Sequence, residues 1–194
     1  MEHWLSYLRG RMLEAVRRPA DAIDAYRVAL RLKPDFHRSA NRLAYTLASL
    51  QRYGEAEQTF RAVLRLDPGN AAAHFNHGYV CEKLGHFEEA IQAFKESTQL
   101  NPRIDRAWYG MGICHAQLGQ HAQAVAALEH AATLQPMNPH AWYALGMAHH
   151  ATNNPDKLKA VALHLVRFDP RMARRLIIES GSSDLNYLVK DLVV

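Results

Sequence analysis

The chain has 194 residues, a formal net charge of +4, 48% hydrophobic and 22% charged residues. That balance belongs to a folding chain, not a disordered one, and its short, charge-broken apolar runs and the start Met1-Glu2-His3-Trp4-Leu5 predict neither a membrane span nor a secretory leader. Two cysteines, Cys81 and Cys114, with no CxxC pair, exclude a disulfide framework and point to a reducing cytoplasm.

Prolines set the frame for the elements. Pro34, Pro68, Pro102, Pro136 and Pro170 stand 34 residues apart, which marks a repeat. Pro19, Pro139 and Pro155 fall in that frame at first turns of helices, where no amide bond is lost. The frame divides residues 1–172 into five units, 3–36, 37–70, 71–104, 105–138 and 139–172. Each reads as two amphipathic helices joined by a short turn, and neither helix buries its apolar stripe alone.

In the first unit Gly10 is small where Ala44, Gly78, Gly112 and Gly146 are small in the later ones, as a close approach of two helices requires. Its Ser6 and Arg9 occupy positions that are usually large and apolar, in keeping with a water-facing end. The second unit ends at Asp67-Pro68-Gly69-Asn70, a helix stop, and the third and fourth turn at Leu84-Gly85 and Leu118-Gly119. Ala22, Ala56, Ala90 and Ala124 are paired with bulky Tyr26, Phe60, Phe94 and Leu128; the fifth unit reverses this with Leu158 and Ala162, so bulk is expected to exchange places. Beyond Pro170 the period fails. Residues 171–180 and 184–194 predict two further helices around Gly181-Ser182-Ser183-Asp184, the second carrying Leu185, Leu188, Val189, Leu192 and Val193. The segment 173–194 is expected to cap the last unit; the other reading is a docking helix for a second chain, another copy of itself included.

Trp108, Met111, Gly112, Ala124, Leu128, Ala131 and Pro136 in the fourth unit, Gly78, Ala90, Phe94 and Pro102 in the third, and Trp142, Leu145, Gly146 and Pro170 in the fifth carry a resemblance. The chain resembles the tetratricopeptide repeat family over residues 3–172. The resemblance implies an all-α, right-handed superhelical solenoid of five helix-turn-helix repeats with a C-terminal helical cap. It also implies a concave groove lined by the first helix of each repeat. Carried over position by position, the groove residues are Trp4, Tyr7 and Arg11, then Arg38, Asn41 and Tyr45, then Phe75, Tyr79, Glu82 and Lys83, then Arg106, Tyr109 and Ile113, and last His140, Tyr143, Met147 and His150. Rigid aromatic faces with arginine forks between them suit a peptide or protein segment. One subtype of the family grips the acidic end of heat-shock chaperones through a Lys/Asn/Arg clamp. Here the best register offers Asn41 and Tyr45, then Asn76, then Arg106 and Gly110, so only part of that clamp is present.

Twelve histidines are many for this length. His74, His77 and Cys81 lie at i, i+3 and i+7 of one helix, and His115 and His149 take the place of Cys81 in the next two repeats. Such a stripe is the alternative function, a zinc- or copper-binding or metal-responsive protein. The absence of CxxC and HExxH favours packing roles instead. Protonating all twelve would quadruple the formal charge, which makes a pH response near pH 5–6 a further reading.

The basic excess sits toward the two ends. Arg27, Arg31 and Lys33 fall on a second helix of mixed charge with no nucleic-acid motif beside them, so nucleic acid is not the expected partner. An acidic protein segment meeting Arg11, Arg38, Arg42 or Arg106 is. Gly110-Met111-Gly112 lacks the third glycine of a dinucleotide loop, and the serines of 180–183 have no nucleophile-elbow context. Neither catalysis nor a cofactor is expected, and the reading is a protein-interaction scaffold or adaptor.

Overall fold

A computed structural model describes residues 1–190, and among them the chain forms eleven α-helices and one 3-10 helix, with no strand. The helices run α1 (Glu2–Ala15), α2 (Pro19–Leu32), α3 (His37–Ser49), α4 (Tyr53–Leu66), α5 (Ala71–Leu84), α6 (Phe87–Leu100), α7 (Asp105–Gln117), α8 (His121–Leu134), α9 (Pro139–Ala151), α10 (Pro155–Val166) and α11 (Pro170–Glu179). Proline opens α2, α9, α10 and α11, where its fixed φ starts a helix and its missing N–H costs nothing. Each of the first five pairs turns through one left-handed residue at the same place in the repeat: Arg17, Gln51, Gly85, Gly119 and Asn153. The turn geometry therefore comes from the packing of the pair, and glycine relieves it in only two of five cases.

The chain divides into two compact units, Met1–Asn101 and Pro102 onward. In the first, α1 to α6 pack in sequence, and Tyr26, Phe60 and Phe94 are buried to the last atom or nearly so. Gly78 lets α5 lie directly on the Phe94 ring, and Gly10 does the same for α1 over Tyr26. Two buried hydroxyls lock this unit. Ser39 donates to the Tyr26 carbonyl at 3.1 Å, joining α3 to α2, and Ser97 donates to the Ala71 carbonyl at 2.9 Å, joining α6 to α5. The outer face of α1 is not polar: Leu5, Leu8, Met12 and Val16 are exposed along it.

In the second unit α7 to α11 enclose a core of Leu128, Leu145, Leu158, Val161, Leu165 and Leu176. Leu128 fills the space over Gly112, as Phe94 does over Gly78. The fifth repeat departs from the expected exchange of bulk. Leu158 and Ala162 are both buried, but the side chain facing Gly146 is Leu176 of α11, with Val161 beside it. The helix after the repeats thus fills the volume that Ala162 leaves.

That helix, α11, agrees with the expectation for 171–180. The second terminal helix does not form as expected: residues Ser183–Leu188 make a single short 3-10 helix after Gly181, whose φ is 67°. A Gly-Ser-Ser run favours a turn over an α-helical start, and Leu185 and Val189 are buried in the unit's own core. Leu192 and Val193 lie outside the described residues. Among the described residues no helix is long and apolar enough to cross a membrane.

Candidate functional site

In the first unit an open recess of about 440 Å³ is lined by Tyr7, His37, Arg38, Asn41, Arg42, Asp67 and Asn70. It brings together three expected groove residues, Tyr7, Arg38 and Asn41. Tyr7 is a buried wall of it, held edge-on by Trp4 and Phe36 and tilted against Tyr26. Arg38 is exposed, with its guanidinium 5.3 Å from the centre of the Trp4 ring. Arg42 shares the Glu14 carboxylate with Arg11, each at 3.8 Å, while Thr46 donates to the same carboxylate at 2.6 Å. Asn41 donates to the His37 carbonyl at 3.1 Å, and Arg11 reaches the Tyr7 hydroxyl at 3.4 Å, a contact that holds its guanidinium above its ordinary pKa. Asp67 is the one acid in the lining, and Asn70 donates to it at 3.0 Å while capping α5 through Ala73 N–H. The recess is donor-rich, with two guanidiniums against a single carboxylate.

His37, Arg42, Asp67 and Asn70 are the lining residues off the groove positions of the repeat frame: Asp67 and Asn70 stand at the junction of repeats, His37 opens α3, and Arg42 follows Asn41 on it. The Asp67-Pro68-Gly69-Asn70 stop was the available signal.

Farther along the unit, Tyr45 is 54% exposed and Tyr79 38% exposed. Tyr79 meets Tyr53 edge-on at 6.5 Å, and Lys83 lies 5.1 Å over its ring while pairing with Glu82 at 2.8 Å. Burial raises the Tyr79 hydroxyl pKa, with Tyr53 adding to it. Phe75 is half-buried against Phe94, so part of its surface serves the core.

In the second unit Arg106, His140 and His150 are exposed, and Tyr109, Ile113, Tyr143 and Met147 are half-buried. Tyr143 is already engaged from α11. Its hydroxyl donates to Glu179, and Arg175 lies 4.8 Å over its ring while holding Glu179 at 2.8 Å. The Tyr143 bond and then Arg175 keep the Glu179 carboxyl below its usual range. No feature of the repeat pattern announces this contact, since α11 lies beyond the period.

Several histidines have structural work. His74 takes the repeat position of Trp108 and Trp142, and its Nε2 lies 2.9 Å from the Pro68 carbonyl, as the two indoles donate to Pro102 and Pro136 at 3.0 and 2.8 Å. His130 stacks on Trp108 at 4.3 Å and His164 packs on Trp142 at 4.1 Å. His115 bonds Gln120 at 2.7 Å across its own turn. Of the expected metal set, His77 and Cys81 come together with Glu57, while one ring nitrogen of His74 meets the Pro68 carbonyl and one of His115 meets Gln120. His77 and Cys81 do face each other, and burial holds the His77 imidazole below its ordinary pKa. Burial and the nearby Glu57 and Glu89 push the Cys81 thiol up to about 12.

The sequence profile described as tetratricopeptide repeat matches residues 7–71, 41–103, 75–134 and 116–157. The chain belongs to the tetratricopeptide repeat family. Its helix pairs are the scaffold that this family uses for protein interaction. No curated protein matches the chain. Among solved structures it is similar to YrrB, described as a tetratricopeptide repeat protein with an unusual peptide-binding site, at 20% identity over 88% of this chain and 89% of that one, with a TM-score of 0.79. It is similar to MamA from Desulfovibrio magneticus at 20% identity over 94% and 97%, TM-score 0.77. A third is PilW, a type IV pilus biogenesis factor, at 19% identity over 95% and 89%, TM-score 0.72. At these identities the likeness is one of fold.

Proposed function

We propose that this protein is a non-enzymatic adaptor that holds an acidic peptide segment against the first helices of its repeats, with the recess around Arg38, Asn41 and Arg42 as the anchor. The observation that carries this reading is the donor-rich recess of the first unit, where exposed Arg38 stands beside buried Tyr7 and oriented Asn41. Guanidinium forks and amide donors grip carboxylates, and a recess whose walls are already packed loses little side-chain freedom on binding. The peptide-binding site described for YrrB, a protein of the same fold, supports the same use. Tyr45, Tyr79 and Lys83 would extend the contact along the first unit. In the second unit, taken by itself, Arg106, Tyr109, Ile113, His140, Tyr143, Met147 and His150 would offer contacts of the same kind. The binding body in this reading is the five repeats 3–36 to 139–172, and its two buried cysteines suit a reducing cytoplasm.

Fluorescence anisotropy with acidic, neutral and basic peptides of equal length tests it. The acidic set should bind best, should weaken steeply with added salt, and should lose about tenfold or more in affinity in Arg38→Ala and Asn41→Ala. Equal binding of the three sets, or indifference to both substitutions, refutes the assignment.

A further inference from the structure

One place in the first unit replaces core residues with metal-ligating ones. Glu57 occupies the repeat position that holds Ile23, Ile91 and Val125 in three other repeats, yet it is only 8% exposed. His77 stands where Leu43, Met111 and Leu145 stand. A carboxylate in a core position costs free energy unless something binds it. These two replacements, made in neighbouring repeats, converge with Cys81 on one point.

The donor atoms are already spaced for a small cation. Cys81 Sγ lies 3.5 Å from His77 Nε2 and 3.8 Å from Glu57 Oε1, and the donors of all three lie within 4.8 Å of one another. Tetrahedral zinc, with bonds of about 2.3 Å to sulfur and about 2.0–2.2 Å to nitrogen and oxygen, sets its sulfur–nitrogen and sulfur–oxygen ligands roughly 3.6 Å apart. The two edges that meet at Cys81 thus need shifts of only a few tenths of an ångström, and the Glu57–His77 edge lies within 4.8 Å. His86 Nδ1 lies 3.3 Å from the same Glu57 oxygen, on the more exposed side. Arg61 also touches Glu57, at 3.1 Å, but it is held at 2.7 Å by Glu89, so it keeps a partner when Glu57 turns to a cation.

We propose that Glu57, His77 and Cys81 form a zinc-class cation site that ties α4 to α5, with its fourth position opening toward His86. Thiolate and imidazole with one carboxylate select zinc over calcium or magnesium, whose sites are built from oxygens. The site lies among the packed helices of the second and third repeats and is independent of the peptide recess, so failure of either reading leaves the other standing.

The test uses the full chain purified without a histidine tag. Titration with Zn²⁺ against a chromophoric chelator should show one tight site. Co²⁺ should give a thiolate-to-cobalt charge-transfer band and the visible bands of tetrahedral cobalt. Cys81→Ser should abolish the band and weaken zinc by about 100-fold or more, Glu57→Gln should weaken zinc, and Cys114→Ser should change neither. Zinc should also raise the thermal midpoint of the native chain. No tight site, no thiolate band, or a band that survives Cys81→Ser overturns the proposal. Should Cys81→Ser fail to fold, zinc-edge absorption of the native protein decides: one sulfur at about 2.3 Å supports the site, and a shell of nitrogen and oxygen alone refutes it.

Discussion

Replacing single glycines by alanine tests the close helix contacts with opposite expected signs at two sites in the same unit. At Gly78 an added Cβ would lie 2.7 Å from Cδ1 and 2.8 Å from Cε1 of Phe94. Carbon atoms pack at about 3.5–4.0 Å, so the ring must retreat by roughly 1 Å. Phe94 is almost fully buried and its ring is rigid, which leaves it no free volume to enter. Overpacking of this kind costs about 1–3 kcal/mol, and alanine regains about 1 kcal/mol of helix propensity, so Gly78→Ala should lose about 1 kcal/mol net, and at most about 2 kcal/mol. Gly54, in the first turn of α4, meets nothing within 4 Å, so Gly54→Ala should gain about 0.5–1 kcal/mol. Urea unfolding followed by circular dichroism measures both. The reasoning fails if Gly78→Ala matches the native chain or if the two substitutions shift stability in the same direction.

At the left-handed turn, Gln51→Gly should stabilise by about 0.5–1 kcal/mol by relieving a φ of 58°, whereas Gly85→Ala, at φ 79°, should destabilise; the same urea experiment reads both. Ser97→Ala removes a buried bond to the Ala71 carbonyl and should cost about 1 kcal/mol, seen as a lower urea midpoint. Burial holds His149, which is 4% exposed, below its ordinary pKa of 6.5, with Lys157 helping and Glu129 opposing. As pH falls through 6.5 the unfolded chain gains a proton that the folded chain resists, so His149 contributes fully above that pH and loses stability below it. His149→Leu, which copies Leu47 at the equivalent position, should flatten the fall of the unfolding midpoint between pH 7 and 5; an unchanged slope would contradict this account.

Much of the helix-pair plan is legible in residues that act locally. A proline every 34 residues ends or begins helices through its own ring, and a small residue opposite a large one, as in Gly78 with Phe94, states a close contact before any coordinates. The aromatic residues expected at groove positions follow from the family frame. The frame does not show that Tyr7 is a buried wall while Tyr45 is open, because both are tyrosines on first helices and only their neighbours differ. Likewise His74 reads as a ligand by spacing, but the structure gives it the carbonyl bond that tryptophan makes in later repeats.

The sequence by itself determined the elements: where helices start and stop, how they pair, and which faces are apolar. Those depend on residues a few positions apart, through torsion preferences and a 3.6-residue period. Tertiary structure alone decided which distant side chains meet. Leu176 fills the space over Gly146 from beyond the repeats, Asp67 joins Tyr7 and Arg38 at one recess, and Glu57 reaches Cys81 from the preceding repeat. Distances of this kind are set by how one helix settles on another, and a shift of an ångström there separates a ligand set from an ordinary core.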